Sequence, residues 1–396
     1  MYASETELKK ILTYEIEQVF GRKIISSRDC IELSEDIFSK TKHQLNANTL
    51  RRFFNLVKAT YPPSKSTLTI LSRYCGFQSA DDIYKIKNTA SMAEGTINPN
   101  TILHYLVSLF REIEMADMND VTFIHMVVHT IKLLNANKFL TDRFQSLIAK
   151  THNGNVYFEQ LVNVDKLNSF YGNGLRYYLK ERGNRQAEIF THSLYIFKYW
   201  LSNEEEKLLK SAEVLPDTAD KSWPYYITAR FFAARLFLLQ TLEQDATDLL
   251  ADIHQFYGEF KETDDQRQYQ FSYILSQALL LTGHDNETIY FINESKKINN
   301  TFYTGNHPLN NSQNFALLEA FALCNTGNAK TAEKIFTDVK SPDFPILEKR
   351  LFYLLYLLLA YKLKFRNAEK TSGQLKKLVS ETGFKKFLSF IDGAQK

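Results

Sequence analysis

The residues best suited to a chemical task in this sequence are basic side chains gathered between Ile37 and Ala80, a stretch called the basic window below. No Asp or Glu occurs in the window, whereas acids and bases are mixed almost evenly elsewhere. Its seven cations are Lys40, Lys42, Arg51, Arg52, Lys58, Lys65 and Arg73. Positive charge sorted onto a short helical segment is typical of a surface that binds a polyanion, most often DNA.

The side chains of the window suit two kinds of nucleic-acid contact. Asn can recognise adenine and Arg can recognise guanine in the major groove. The candidates for such base contacts, at the exposed start of a helix, are Asn46, Asn48, Thr49, Arg51 and Arg52. Lysines contact phosphates and set the affinity more than the choice of sequence. The candidates for that role are Lys40, Lys42, Lys58 and Lys65.

Other interpretations of the basic window remain open. It can be a solvated helix face carrying ordinary surface lysines, or it can bind another anion, such as RNA or an acidic protein. Arg52 alternates with Leu50 and Phe53, which face inward, so its aliphatic stem can equally cover the flank of the core.

The remaining residues give little sign of catalysis. His125 and His129 are four residues apart on one predicted helix face, a spacing that suits a metal. No Glu lies between them and no third ligand is evident, so a structural histidine pair is the preferred interpretation. No phosphate-binding glycine loop, nucleophile elbow or zinc-protease motif occurs. The sequence therefore predicts no enzyme, no cofactor and no metal.

Apolar residues at helical spacing predict the elements that position the basic window. One helix covers residues 5–20, and a second runs from Ser27 or Asp29 to Thr41. The polar turn KTKHQLN follows. A third helix opens at Asn46 or Asn48 and is broken by Tyr61-Pro62-Pro63-Ser64. A fourth helix then runs to Gly76.

The segments LSEDIF, LNANTLRRFF and PSKSTLTILSRYCGF, between Leu33 and Phe77, resemble the helix-turn-helix of the Cro/lambda-repressor-like DNA-binding family. Leu33-Ser34-Glu35 lies in the first helix of the motif, Leu45-Asn46 in the turn, and Thr49 to Phe53 in the recognition helix. The turn between Ser34 and Asn46 is longer than in the compact family version and contains no glycine. The resemblance implies that the recognition helix enters the major groove of DNA.

Helical patterns also fill the rest of the chain, so the sequence predicts an all-α protein. The small polar residues of 86–100 indicate a boundary. We expect a basic helical domain over residues 1–88, a linker over 89–99 and a helical domain over 100–396. Within the last domain the patterns predict single helices over 156–170, 173–200 and 366–390.

Helix–turn–helix units recur in the C-terminal domain. A small residue lies near the start of the second helix of each unit, at Ala246, Thr288, Ala332 and Ala368. Gly283 and Gly327 mark the turns that precede Thr288 and Ala332. This pattern resembles degenerate tetratricopeptide-like helical hairpins, whose standard period is about 34 residues. The resemblance implies a solenoid of α-helical hairpins with a concave face suited to a peptide or protein partner.

Charge and hydropathy complete the prediction. Residues 1–90 hold 14 Lys and Arg against 10 Asp and Glu, although the whole chain carries only +3. The longest apolar run, Leu351 to Tyr361, is too short for a bilayer about 30 Å thick, so we expect no membrane partner and a cytoplasmic protein. The leading hypothesis is a DNA-binding regulator of transcription that binds double-stranded DNA. Its repeat domain would bind an effector or partner, or form a homodimer. The alternative is a non-enzymatic scaffold whose basic N-terminal face docks an acidic protein.

Overall fold

The computed structural model contains helices and no strands in the part of the chain that it describes. The described residues are 5–20, 22–58, 61–75, 77, 99–115, 120–134, 137–260, 265–298, 307, 310–365 and 368–393. The chain divides into two compact units, Met1–Leu106 and Val107–Lys396. The predicted all-α fold class is therefore confirmed. The predicted linker lies outside the described residues except for Pro99.

Unit 1 is a small bundle of short helices. They are α1 (Glu5–Phe20), α2 (Ser27–Thr41), α3 (Ala47–Phe53), α4 (Lys65–Tyr74) and the start of α5 (Pro99–Glu112). Helix α2 packs on α3 and α4, and α4 packs on α1. Leu33, Ile37 and Leu50 are completely buried where α2 and α3 meet. The apolar spacing seen in the sequence thus builds the core of this unit.

Helix α3 is shorter than the sequence indicates. We expected it to continue to the break at Tyr61, but it ends at Phe53. Asn55 adopts a left-handed φ of 60°, which turns the chain, and its side-chain oxygen accepts a hydrogen bond from Lys9 Nζ at 2.6 Å. Asn tolerates this conformation better than most residues, so the chain turns before the prolines are reached.

Unit 2 contains the remaining helices. In its first half these are α6 (Val121–Leu134), α7 (Lys138–Ile148), a π-helical turn (Val156–Gln160), a 3₁₀ turn (Val164–Lys166), α8 (Phe170–Arg182), α9 (Arg185–Ser202), α10 (Glu205–Ala212) and α11 (Tyr225–Thr241). In its second half they are α12 (Thr247–Phe260), α13 (Asp265–Leu281), α14 (Asp285–Lys297), α15 (Ser312–Asn325), α16 (Ala329–Asp338), a 3₁₀ turn (Ser341–Asp343), α17 (Lys349–Lys362), α18 (Ala368–Thr382) and α19 (Lys386–Gly393).

The helices of unit 2 stack as consecutive hairpins. Each of α9, α11, α13 and α15 packs on the helix that follows it and on the next helix of the inner series, which ends with α17 packed on α18. Ala246, Thr288 and Ala332 are buried where the second helices begin, as their small size predicts. Gly283 and Gly327 both adopt a left-handed φ of 87° at the hairpin turns. This packing is consistent with an all-α, helical-repeat solenoid.

The two ends of this array meet. The 3₁₀ turn around Asp165 packs against α17, and Asp165 N donates to Leu347 O at 3.1 Å. Asn168 Nδ2 donates to Thr382 O at 3.0 Å, and α19 packs on α9. These contacts join segment 164–168 and α9 to the last hairpin of unit 2 and to α19.

Three predicted single helices of unit 2 are wrong in detail. Residues 156–170 form a π-helical turn and a 3₁₀ turn. Residues 173–200 split at Gly183, whose φ of 57° ends α8, and Asn184 caps α9 through Ala187 N at 2.9 Å. The third predicted helix splits at Gly383, with φ 74°. Apolar spacing continues across these breaks because both flanking helices face the same core.

Candidate functional site

Four cations of the basic window are exposed and without a partner. The side chains of Lys42, Arg52, Lys58 and Lys65 form no hydrogen bond or ion pair with any described residue. Arg52 lies on α3, Lys65 begins α4, and Lys42 follows the end of α2. Unpaired surface cations keep their full field toward solvent, which is the electrostatic requirement for attracting a polyanion.

The amide and arginine side chains at the start of α3 form a linked chain. Asn46 is the N-cap, and its Oδ1 accepts from Asn48 N at 2.8 Å. Asn48 Oδ1 in turn accepts from Arg51 Nη1 at 2.8 Å. Asn46 and Asn48 are exposed, while Thr49 and Arg51 are half-buried. Arg51 is therefore oriented by Asn48, and Arg52 is the arginine of α3 that projects freely.

Lys40 is paired inside the unit. Its Nζ lies 2.7 Å from Asp36 Oδ2, one turn earlier on α2, and 4.9 Å from the centre of the Tyr74 ring. Tyr74 donates its hydroxyl hydrogen to the same carboxylate. Asp36 directly precedes the acid-free window in sequence. Because it lies one helical turn before Lys40, α2 places its carboxylate beside one of the seven cations. The charge of Lys40 is thereby matched.

The predicted long turn between α2 and α3 has a defined conformation. Lys42 adopts a left-handed φ of 59° and its N–H donates to Phe38 O, which ends α2. The Ser34 hydroxyl donates to Leu45 O and ties the turn back to α2. Leu50 and Phe53 hold α3 in the core. These contacts fix the exposed side of α3 relative to α2.

His125 and His129 lie on the exposed side of α6 with ring centres 6.4 Å apart. They line a cleft of about 580 Å³ that His307 and Lys132 also line. The sequence pattern did not reveal His307 as a neighbour. Even so, across the described ranges no three His, Cys, Asp or Glu residues are arranged to hold a metal ion.

Unit 2 also contains a partly open cavity of about 100 Å³, called the Arg230 cavity here, whose mainly apolar wall carries several charged and polar side chains. Its wall combines the π-helical turn, α11, α13, the start of α15 and the segment before α17. The residues that line it are Glu159, Gln160, Val162, Tyr226, Arg230, Gln270, Tyr273, Ile274, Asn311, Pro345, Leu347 and Glu348. One inner surface of the helical array thus carries two carboxylates and one guanidinium.

The Glu159 carboxylate is held by two tyrosines. Tyr178 donates to Oε1 at 2.6 Å, and Tyr226 donates to Oε2. Burial and the nearby carboxylate raise the pKa of both tyrosines, so they stay protonated donors. Tyr171, which is completely buried, donates to Phe158 O at 2.6 Å and anchors the π-helical turn. Glu159 therefore faces the cavity in a fixed orientation.

Glu348 lies across the cavity wall at the start of α17. Tyr273 donates its hydroxyl hydrogen to Oε2, and Asn314 Nδ2 donates to the same oxygen at 3.3 Å. Asn314 Nδ2 also lies 2.6 Å from the Tyr273 hydroxyl. The other oxygen, Oε1, accepts no hydrogen bond from a described residue. Burial raises the pKa of Glu348, and these donors and the Arg230 charge oppose that shift.

Arg230 is the remaining charge of the cavity. Its side chain projects from α11, is partly exposed to the cavity, and forms no hydrogen bond or ion pair with any described residue. Burial lowers the pKa of Arg230, and the Glu348 charge opposes this effect. A guanidinium carries five N–H donors and stays charged in proteins. The cavity therefore presents several donors without a protein acceptor.

Sequence reasoning missed Glu159, Arg230 and Glu348. Only Arg230 had a recognisable signal in the sequence. Arg230 lies within YYITARFFAARLF, a helix that is apolar on nearly all sides, where an unpaired charge is rare. No pattern linked it to Glu348, because the two residues line one cavity only in the folded array, 118 positions apart in the sequence.

No family model, curated protein or solved structure matches the chain. Within the described ranges, every helix is too short or too polar to cross a bilayer.

Proposed function

We propose that the protein is a DNA-binding regulator, in which unit 1 contacts duplex DNA and unit 2 binds an effector or a protein partner, or forms a homodimer. The observation that carries the proposal is a set of four exposed cations of unit 1 that have no partner among the described residues, namely Lys42, Arg52, Lys58 and Lys65. Such cations release counterions from phosphates when they bind, which makes affinity fall steeply with salt.

The surroundings of α3 support DNA over a generic anion. Asn46, Asn48 and Arg52 are all exposed at or on α3, so unit 1 offers amide and guanidinium donors as well as exposed lysines. This combination suits a helix that reads base edges while lysines hold the backbone. Transcriptional control and a cytoplasmic location belong to the same proposal, because a regulator acts where DNA is.

The test compares two triple variants with the same charge change. Lys42→Glu/Arg52→Glu/Lys65→Glu reverses exposed cations of unit 1, and Lys150→Glu/Lys210→Glu/Lys334→Glu reverses exposed lysines of unit 2. Fluorescence anisotropy with a pool of genomic duplex fragments, at low and moderate salt, measures affinity. We expect the unit 1 variant to lose binding by at least about 100-fold and the unit 2 variant to keep it.

Equal loss in both variants would mean that net charge alone drives association, and the proposal would fail. It would also fail if the wild-type chain bound no duplex at low salt. In that case the scaffold alternative, with an acidic protein on the same face, becomes the better interpretation. Circular dichroism confirms that each variant keeps its helical content.

A further inference from the structure

The Arg230 cavity contains opposite charges that do not pair with each other. Arg230 and Glu348 both line it, yet no ion pair joins them, and Arg230 has no acceptor among the described residues. Removing ions from water costs several kcal/mol each unless a counter-charge or hydrogen bonds replace the water. A fold that needed only stability could bring the two groups together or replace them with apolar side chains.

The hydrogen-bonding capacity left in the cavity includes both donors and acceptors. The guanidinium offers N–H donors, which match a carboxylate in a two-point arrangement. Among the carboxylates, Glu348 Oε1 accepts no hydrogen bond from a described residue, and each Glu159 oxygen accepts only one. Carboxylate oxygens with spare acceptor capacity suit an ammonium group, which donates three hydrogen bonds.

The size of the cavity limits its occupant. About 100 Å³ holds fewer than about ten water molecules or one small molecule, at about 10–15 Å³ for each water. A nucleotide or an extended peptide does not fit inside. Val162, Ile274 and Leu347 supply an apolar part of the wall, which suits a short aliphatic group.

We propose that this cavity binds a small aliphatic α-amino acid. Its carboxylate would pair with Arg230, and its ammonium group would be held by Glu348 and Glu159. The inference gives a ligand class to the effector-binding part of the proposed function, and it rests on that part only. All the residues involved belong to unit 2, so binding does not require DNA.

The experiment is isothermal titration calorimetry of the full chain without DNA, at pH 8, because burial raises the pKa of Glu348 and a higher pH favours its ionised form. The probes are glycine, L-alanine and L-valine. Propionate and ethylamine are matched to L-alanine, since each lacks one of its two charged groups. We expect one-site binding of at least one zwitterion. Propionate and ethylamine should bind at least about tenfold more weakly than L-alanine, because each loses one charged contact.

Three variants assign the binding to the cavity. Arg230→Met and Glu348→Gln should each weaken the bound zwitterion by about tenfold or more. Arg235→Met is the control, because Arg235 lies on the same helix and does not line the cavity. If Arg230→Met does not melt cooperatively, Glu348→Gln decides the question, since Gln keeps an acceptor for Tyr273.

Three results would overturn the inference. The first is that no zwitterion binds the wild-type chain at millimolar concentration, which would leave water as the occupant. The second is that propionate binds as tightly as L-alanine, which would indicate a simple anion site. The third is that Arg230→Met and Glu348→Gln fold and keep full affinity. None of these results bears on DNA binding by unit 1, which is measured separately.

Discussion

The backbone N–H of Arg350 donates to both carboxylate oxygens of Asp165, at 3.0 and 2.8 Å, across a sequence separation of 185 residues. Leu351 N adds a third hydrogen bond at 3.1 Å. Asp165 thus satisfies amides at the start of α17, which no earlier residue of that helix can satisfy. A cap supplied by the 3₁₀ turn before α8 thus ties this part of unit 2 to its last hairpin.

We predict that Asp165→Ala destabilises unit 2 by about 1–3 kcal/mol, because buried amides lose their acceptor. Urea unfolding followed by tryptophan fluorescence reports on this unit, since Trp200 and Trp223 are the only tryptophans of the chain. Asp217→Ala is the control, because Asp217 is exposed and has no partner among the described residues. Equal stability of the two variants would contradict the capping role.

The second prediction concerns pH. Burial raises the pKa of Asp165 to about 7, and the N–H groups of Arg350 and Leu351 only partly oppose this. The unfolded value is about 3.9, so between these pH values the folded chain binds more protons than the unfolded chain. The contribution of Asp165 to the free energy of unfolding is therefore greatest below about pH 4. It falls by up to about 1.4 kcal/mol per pH unit as pH rises toward 7.

Asp165→Asn isolates this effect, because an amide does not titrate but still offers an acceptor. We expect the stability of the wild type relative to Asp165→Asn to fall between pH 5 and pH 7 and to be constant above pH 8. Urea unfolding at each pH measures the difference. A difference that does not change with pH would show that the folded carboxyl titrates as it does in the unfolded chain.

Two glycines give opposite predictions for the same substitution. Gly327 adopts a left-handed φ of 87°, so Gly327→Ala should destabilise by about 1–2 kcal/mol even though space is open around it. Gly373 lies inside α18 with open space, and Gly373→Ala should stabilise by about 1 kcal/mol. The urea midpoint of each variant checks the signs. A shared sign would mean that backbone conformation does not decide the outcome.

Local sequence rules predicted much of this fold because its helices are short and end at recognisable capping residues and turn glycines. Asn46, Gly283 and Gly327 act through their own backbone or the next turn, so their roles can be read from neighbouring residues. The same rules wrongly predicted a regular helix over segment 156–166. Its apolar residues are buried by distant helices, so their spacing looked helical although the backbone forms a π-helical turn.

The basic face of unit 1 could be predicted from sequence and the Arg230 cavity could not, because only the first depends on residues close together in the chain. Exposure of Arg52 follows from the apolar positions of Leu50 and Phe53 beside it, so the basic face could be proposed from sequence. The pairing of Lys40 needed Tyr74, which comes from another helix. The Arg230 cavity depends on elements from residue 159 to residue 348, and no local pattern reports such a meeting.

The last prediction separates stability from DNA binding at one residue. Lys42 adopts a left-handed φ of 59° after α2, a conformation that costs a non-glycine residue about 1 kcal/mol. Lys42→Gly should therefore stabilise unit 1, as helical content followed in urea would show. The same change removes an exposed cation, so duplex affinity should fall and the salt slope should decrease by about one. Lys364→Gly is the matched control, because Lys364 is exposed with φ 57° in unit 2. That variant should gain stability and keep DNA affinity, and a loss of affinity in both variants would contradict a contact at Lys42.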